Sequence, residues 1–303
     1  MHDVEGIKSA RDHLKHRAER YEKDNLALYL DKYAVFENQE VQSSTLGDLL
    51  TYFERSAPSK LQKDAVTPFM KFVKNCEGQH FKATLETPMA LHLSRSNGLE
   101  NAGICMHPTY CVPFLPGSGL KGLARAYAET VVRYMSDEKK KKEARTEMER
   151  IFGYADEERR QALVGNKKVK PEYDSDGNII KNRSGSVVFH DSLPETSVKL
   201  ATEITNCHHM KYYGASHEGH DKVPLPGDWE NPNLVYYPVI SAGCAFRFAV
   251  TPTSRTKEGE LKKARQWLQG ALISPGVGGK TSQGFGRFTI VETQEAEPPS
   301  SVF

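Results

Sequence analysis

The chain has 303 residues, with 41 Lys plus Arg against 39 Asp plus Glu, 38% apolar residues and a mean hydropathy of −0.59. A chain of ~300 residues buries about 75% of its unfolded surface, so a sizeable core is expected, and a formal charge of +2 excludes a uniformly basic nucleic-acid binder. Any nucleic-acid surface must come from local clustering of charge.

No apolar run approaches the ~20 residues of a membrane span; Arg247 interrupts Ala245–Val250. The N-terminus, Met1-His-Asp-Val-Glu-Gly, lacks the basic start and apolar centre of a secretory signal. The five cysteines, Cys76, Cys105, Cys111, Cys207 and Cys244, are odd in number and form no C-x-x-C pair. That pattern predicts a reduced, cytoplasmic protein without a disulfide framework.

Residues 1–78 read as an N-terminal helical region. Ile7, Ala10, Leu14 and Ala18 recur at helical spacing, and Leu46 to Lys74, interrupted by Pro58 and Pro68, predicts several short helices. From residue 79 the period becomes two. Phe81, Ala83 and Leu85 alternate with Lys82, Thr84 and Glu86, which predicts a half-buried strand. After a turn-rich stretch, Leu120, Ala124, Tyr127, Ala128, Val131 and Met135 mark one helix face. Its continuation carries Lys139–Lys142 flanked by Glu138, Glu143, Glu147 and Glu149, which predicts a solvated, ion-paired helix.

Residues 155–184 read as an insertion, with a mildly basic hairpin at 166–183 around Asp176-Gly177. Strands follow at Val187–Phe189 and Phe246–Val250, then a helix through Leu261, Ala264, Leu268, Ala271 and Leu272, and a strand at Phe288–Ile290. The tail 293–303, with Pro298 and Pro299, is expected to be disordered. The order over 79–292 is strand, helix, strand, strand, helix, strand. That is an α+β, ferredoxin-like (RRM-like) βαββαβ core with long insertions, a fold that hosts many activities.

Two glycine motifs carry the functional signal. In Pro116-Gly-Ser-Gly-Leu-Lys-Gly-Leu-Ala-Arg125, Gly117 and Gly119 permit a tight turn and Ser118 is positioned to cap a helix whose first amides favour an anion. Lys121 and Arg125, four residues apart, share a helical flank suited to phosphates. The second motif runs from Gly276 to Gly286 and includes Gly278, Gly279, Lys280, Thr281, Ser282 and Gln283, with Arg287 at its exit. A P-loop needs a glycine five positions before Gly279, where Ser274 stands. This loop also follows a helix and feeds a strand, the reverse of a P-loop. Nucleoside triphosphate binding is therefore rejected, and the loop is read as backbone amides and small side chains facing an extended anionic polymer. Gln283-Gly-Phe-Gly286 echoes the consensus strand of RNA-recognition modules, but Arg287 replaces an aromatic.

Cys207, His208, His209, His217 and His220 are metal-capable, yet neighbours on a strand point to opposite faces and do not readily share an ion. They are read as ordinary histidines; neither a metal nor a cofactor is expected.

Taken together, the two glycine motifs resemble the RAMP superfamily of CRISPR effector proteins. Three further stretches are similar to it: Ile151-Phe-Gly153, Gly185-Ser-Val-Val-Phe-His-Asp191, and Glu203–Tyr213 with its His208-His209-x-x-Tyr212-Tyr213 ending. The last resembles a segment of the sixth subunit of type III-B (Cmr) effectors, apart from Glu203 and Asn206 where Asp and Pro are expected. The resemblance implies a non-catalytic subunit that binds guide RNA near its 3′ end, packs against other RAMP subunits and meets target RNA, with cleavage left to another subunit and no membrane contact. It makes His208, His209, Tyr212 and Tyr213 possible RNA or subunit contacts. Two alternatives stay open: an endoribonuclease processing CRISPR precursor RNA, with His190, His208 or His209 as general base, and a pure scaffold subunit.

Overall fold

A computed structural model describes residues 60–91, 104–154, 182–207, 209, 212–213, 225–231 and 233–291, together with two short paired strands, β1 (Phe36–Glu37) and β2 (Glu40–Val41). The helical pattern around Ile7–Ala18, most of the basic hairpin at 166–183, the tail 293–303 and His208, His217 and His220 lie outside the described residues. The chain divides into two compact units, one of 1–56, 90–111 and 199–241, the other of 57–89, 112–198 and 242–303.

The second unit is built on an antiparallel sheet with the strand order β11-β3-β10-β6. These are β3 (Gln79–Leu85), β6 (Val187–Phe189), β10 (Ala245–Pro252) and β11 (Phe288–Val291). A short strand β7 (Leu193–Pro194) continues the β6 edge along β10. The register follows the alternation of side chains. Phe81 opposes Phe248 across β3 and β10, and their rings stack at 5.2 Å. Phe288 closes edge-on against Phe246 and Phe248. All four phenylalanines are buried.

That face is covered by α2 (Gly117–Arg133) and α4 (Glu260–Ile273), with α3 (Glu138–Phe152) packed on α2. The buried stripe of α2 is Leu120, Ala124, Ala128 and Val132. The expected Val131 and Tyr127 are displaced to its flank, because a stripe repeating every four residues drifts around a 3.6-residue helix. Tyr127 lies over Gly270 of α4, where an added Cβ would meet its ring at 2.5 Å. The lysine run is not a continuation of α2. The helix ends at Tyr134, and Asp137 starts a new one by accepting hydrogen bonds from the Lys139 and Lys140 amides at 2.9 and 3.2 Å.

On the other face, α1 (Lys60–Asn75) packs against β3, β10 and β7. It runs through Pro68 unbroken, contrary to the short helices expected from that proline. The insertion leaves and re-enters through paired strands β4 (Gly153–Tyr154) and β5 (Arg183–Ser184). Gly153 there has φ 75° and ψ −179°, a region open only to glycine.

The first unit contains a long antiparallel hairpin-like pair, β8 (Leu200–Cys207) and β9 (Asn233–Ile240). Sequence patterning missed this pair: Pro238 stands inside β9, and the apolar Ile204 of β8 is 51% exposed. Among the described residues no helix is long and apolar enough to cross a membrane.

Candidate nucleic-acid interface

The start of α2 is fixed by residues distant in the chain. The Gly117 amide donates to Asp191 Oδ1 at 2.6 Å, and a Cβ on Gly117 would lie 2.2 Å from the Phe189 carbonyl oxygen. Gly117 is therefore required by close approach rather than by a turn. Ser118 is not the cap: it lies inside the helix, and no side chain of the cap position bonds the first turn. Gly119 is also helical and exposed, with open space around its Cβ position. The Asp191 carboxylate already occupies the electropositive helix end, so a phosphate arriving there meets a negative charge.

Lys121 and Arg125 are treated differently by their surroundings. Arg125 Nε lies 2.9 Å from Glu129 Oε1, and its Nη1 reaches the Gly153 carbonyl at 3.4 Å. Lys121 has no carboxylate within ion-pair distance among the described residues; burial, and then the Arg125 guanidinium, lower its pKa. Arg125 and Tyr127 leave the helix ~200° apart. The cation flank thus faces Gly153, and the opposite flank faces Gly270 of α4.

The second glycine motif follows α4 directly. Gly276, Gly278, Gly284 and Gly286 have positive φ, as does Lys280 at 58°. The loop is closed at its neck, where the Val277 amide donates to the Gly286 carbonyl at 2.9 Å and the Gly286 amide to Pro88 O at 2.8 Å. A Cβ on Gly286 would sit 1.9 Å from the Val277 oxygen. At the tip, Thr281–Gln283 form one 3-10 turn, with the Gln283 and Gly284 amides bonded inward. The amides of Gly278, Gly279, Thr281 and Ser282 donate no hydrogen bond among the described residues. Ser282, Gln283 and Arg287 are exposed. The Arg287 amide is held by Thr87 Oγ1 at 3.0 Å, and its guanidinium has no acid partner among the described residues. The loop thus presents amides that are not bonded inward, with Lys280 within it and Arg287 at its exit; successive amides of that kind can bind an anion.

The aromatic and histidine set belongs to the first unit. His209 Nδ1 is 3.4 Å from Glu230 Oε2. Tyr212 and Tyr213 meet edge to face at 5.3 Å and are 42% and 72% exposed. Trp229, which the sequence reading did not single out, is 83% exposed; its only signal was a bulky aromatic in a Pro/Gly-rich loop. His190 is turned away from Phe189 as alternation predicts. Its Nε2 is 2.8 Å from Thr251 Oγ1, and its ring is edge-on to Phe69 and Phe72 of α1. Burial lowers its pKa against the opposing pull of the Asp191 carboxylate. The contacts of this half-buried imidazole are thus the Thr251 hydroxyl and the two phenylalanine rings of α1.

A profile of the RAMP superfamily matches residues 82–289, a span that includes both glycine motifs. The Cmr subunit Cmr6 of Pyrococcus furiosus is 31% identical over 204 residues, covering 59% of this chain and 58% of that protein, so the match spans little more than half of the relative's length. Among solved structures, a chain of the type III-B Cmr-β complex bound to cognate target RNA superposes with a TM-score of 0.51 at 16% identity, covering 93% of this chain and 87% of that one. It shows likeness of fold. The crystal structure of Cmr6 from Pyrococcus furiosus aligns with a TM-score of 0.36 at 23% identity, over 71% of this chain and 98% of that one. With over two thirds of its length matched by the family profile, this chain belongs to the RAMP superfamily.

Proposed function

We propose that this chain is a non-catalytic, guide-RNA-binding subunit of a type III-B (Cmr) CRISPR effector in the cytoplasm, seated near the 3′ end of the guide and packed against other RAMP subunits. The observation that carries the reading is the Gly276–Gly286 loop, with four open amides and Lys280 and Arg287 beside them, in a RAMP chain 31% identical to Cmr6. The antiparallel strand order β11-β3-β10-β6 with α2 and α4 on one face supports reading 79–292 as a ferredoxin-like domain. Within it, Gly276, Gly278, Gly279, Lys280, Thr281, Ser282, Gln283 and Arg287 line the guide phosphates. Ser118 and Lys121, on the turn that carries Gly119, form a secondary contact, and Arg125 orients that flank through Glu129. His209, Tyr212 and Tyr213 serve a subunit or target-RNA contact.

The test is a salt series of RNA binding. Lys280→Ala weakens binding equally for unrelated sequences and flattens the slope of log K against log salt by about 0.7. Unchanged affinity and slope remove the loop from the RNA surface. The purified chain leaves RNA intact with and without Mg²⁺. Cleavage at defined positions, abolished by His209→Ala, would replace this reading with the nuclease.

A further inference from the structure

The lysine run at the start of α3 was expected to be neutralised by neighbouring glutamates. Only Lys141 finds one, 3.4 Å from Glu138 Oε1. Lys139, Lys140 and Lys142 have no carboxylate within ion-pair distance among the described residues. Together with Lys257 and Lys263 they line a cleft of about 800 Å³ between α3 and the start of α4. At its floor Arg150 is paired with Glu260, whose side chain is 3% exposed and also accepts from Ser186 Oγ and the Lys257 amide. That pair is internally spent, leaving five lysines against Glu143, Glu147 and Glu258. Lys263 is held at the wall, its Nζ 5.5 Å from the Trp267 ring centroid. Both α3 and α4 begin at this cleft, so two helix N-termini add to its positive potential.

The lining contains no aromatic side chain. Protein interface cores are depleted in Lys and Glu and enriched in aromatics, so a subunit contact fits poorly. Lysines bind phosphates as point charges, and contacts of that kind position a nucleic acid without reading its bases.

We infer that the α3–α4 cleft is a second RNA-backbone site, separate from the glycine loop and indifferent to sequence. The inference rests on the reading of this chain as an RNA-binding subunit, and the experiment separates the two. Anisotropy titrations of the full chain use two unrelated guide-length single-stranded RNAs at salt concentrations from about 50 to 200 mM. Each phosphate contact on a single strand contributes ~0.7 to the salt slope. Lys139→Ala/Lys140→Ala/Lys142→Ala therefore makes the slope shallower by about 2 and lowers low-salt affinity about tenfold or more, equally for both RNAs. Lys257→Ala/Lys263→Ala flattens it by about 1.4, and Glu143→Gln/Glu147→Gln tightens binding, a gain that misfolding cannot mimic. An unchanged slope in the lysine variants while Lys280→Ala flattens it overturns the cleft and leaves the RNA reading standing. Loss of subunit assembly with RNA affinity intact makes the cleft a protein surface and also overturns it. If neither set moves RNA binding, both readings fall.

Discussion

Three glycines between Pro116 and Arg125 lie on a helix, and five between Gly276 and Gly286 lie in a loop. In the first segment only Gly117 is forced, by the Phe189 carbonyl, and the leading amide is taken by Asp191. In the second, four glycines hold positive φ and the tip leaves four amides open. Similar composition thus produces a docked helix start in one place and a loop with open amides in the other. Glycine content alone does not locate a phosphate site; the fate of the amides does.

Substitutions at five positions would break or sharpen that contrast. The largest effect is expected at Gly286→Ala, where a Cβ meets the Val277 oxygen at 1.9 Å in a backbone with φ 73°. Strain and overpacking together cost roughly 3 kcal/mol or more, read as a collapse of the urea midpoint of the full chain; a wild-type midpoint would mean that the neck is not closed.

Next comes Asp191→Ala, which orphans the Gly117 amide and costs about 1–2 kcal/mol. Asp191→Asn recovers most of it, and a neutral Ala variant would return the first helix end to the list of open anion sites. Arg125→Ala follows at about 0.5–1 kcal/mol, through loss of the Glu129 pair and the Gly153 contact. Lys121→Ala, removing a desolvated charge next to Arg125, leaves the melting temperature unchanged or slightly raised. If both variants melt alike, the two cations are not differentiated as the geometry requires. The smallest effect is a gain. Gly119→Ala, with open space at its Cβ, stabilises by about 0.5–1 kcal/mol and leaves RNA affinity intact. A fall in affinity would show backbone approach at that turn.

The core of the second unit was legible because its signals are local. Alternation placed β3, β6, β10 and β11, and four-residue spacing placed α4. What escaped was non-local or contradictory. Asp191 reaches Gly117 across 74 residues, a bond no pattern predicts. The β8–β9 pair is joined through a long connection and carries Pro238, so it gives neither a turn signal nor a clean strand signal. Pro68 predicted a break that packing against the sheet overrode. Arg125–Glu129 was readable at i,i+4, a pair the sequence reading of Lys121 and Arg125 did not weigh. The glycine loop was located from sequence, while its usable amides emerged only from its hydrogen bonds.

The paired strands β4 and β5 have a practical consequence. Tyr154 opposes Arg183 and Gly153 opposes Ser184, with the Ser186 amide bonded to the Arg150 carbonyl at 2.8 Å. The two ends of the insertion are thereby stitched together within the second unit. Doubling the length of chain between tied ends costs only about 0.6 kcal/mol in closure entropy. That stitch makes the segment a splice point: a reporter peptide or affinity handle can be grafted there with both termini left free, turning the subunit into its own probe of assembly.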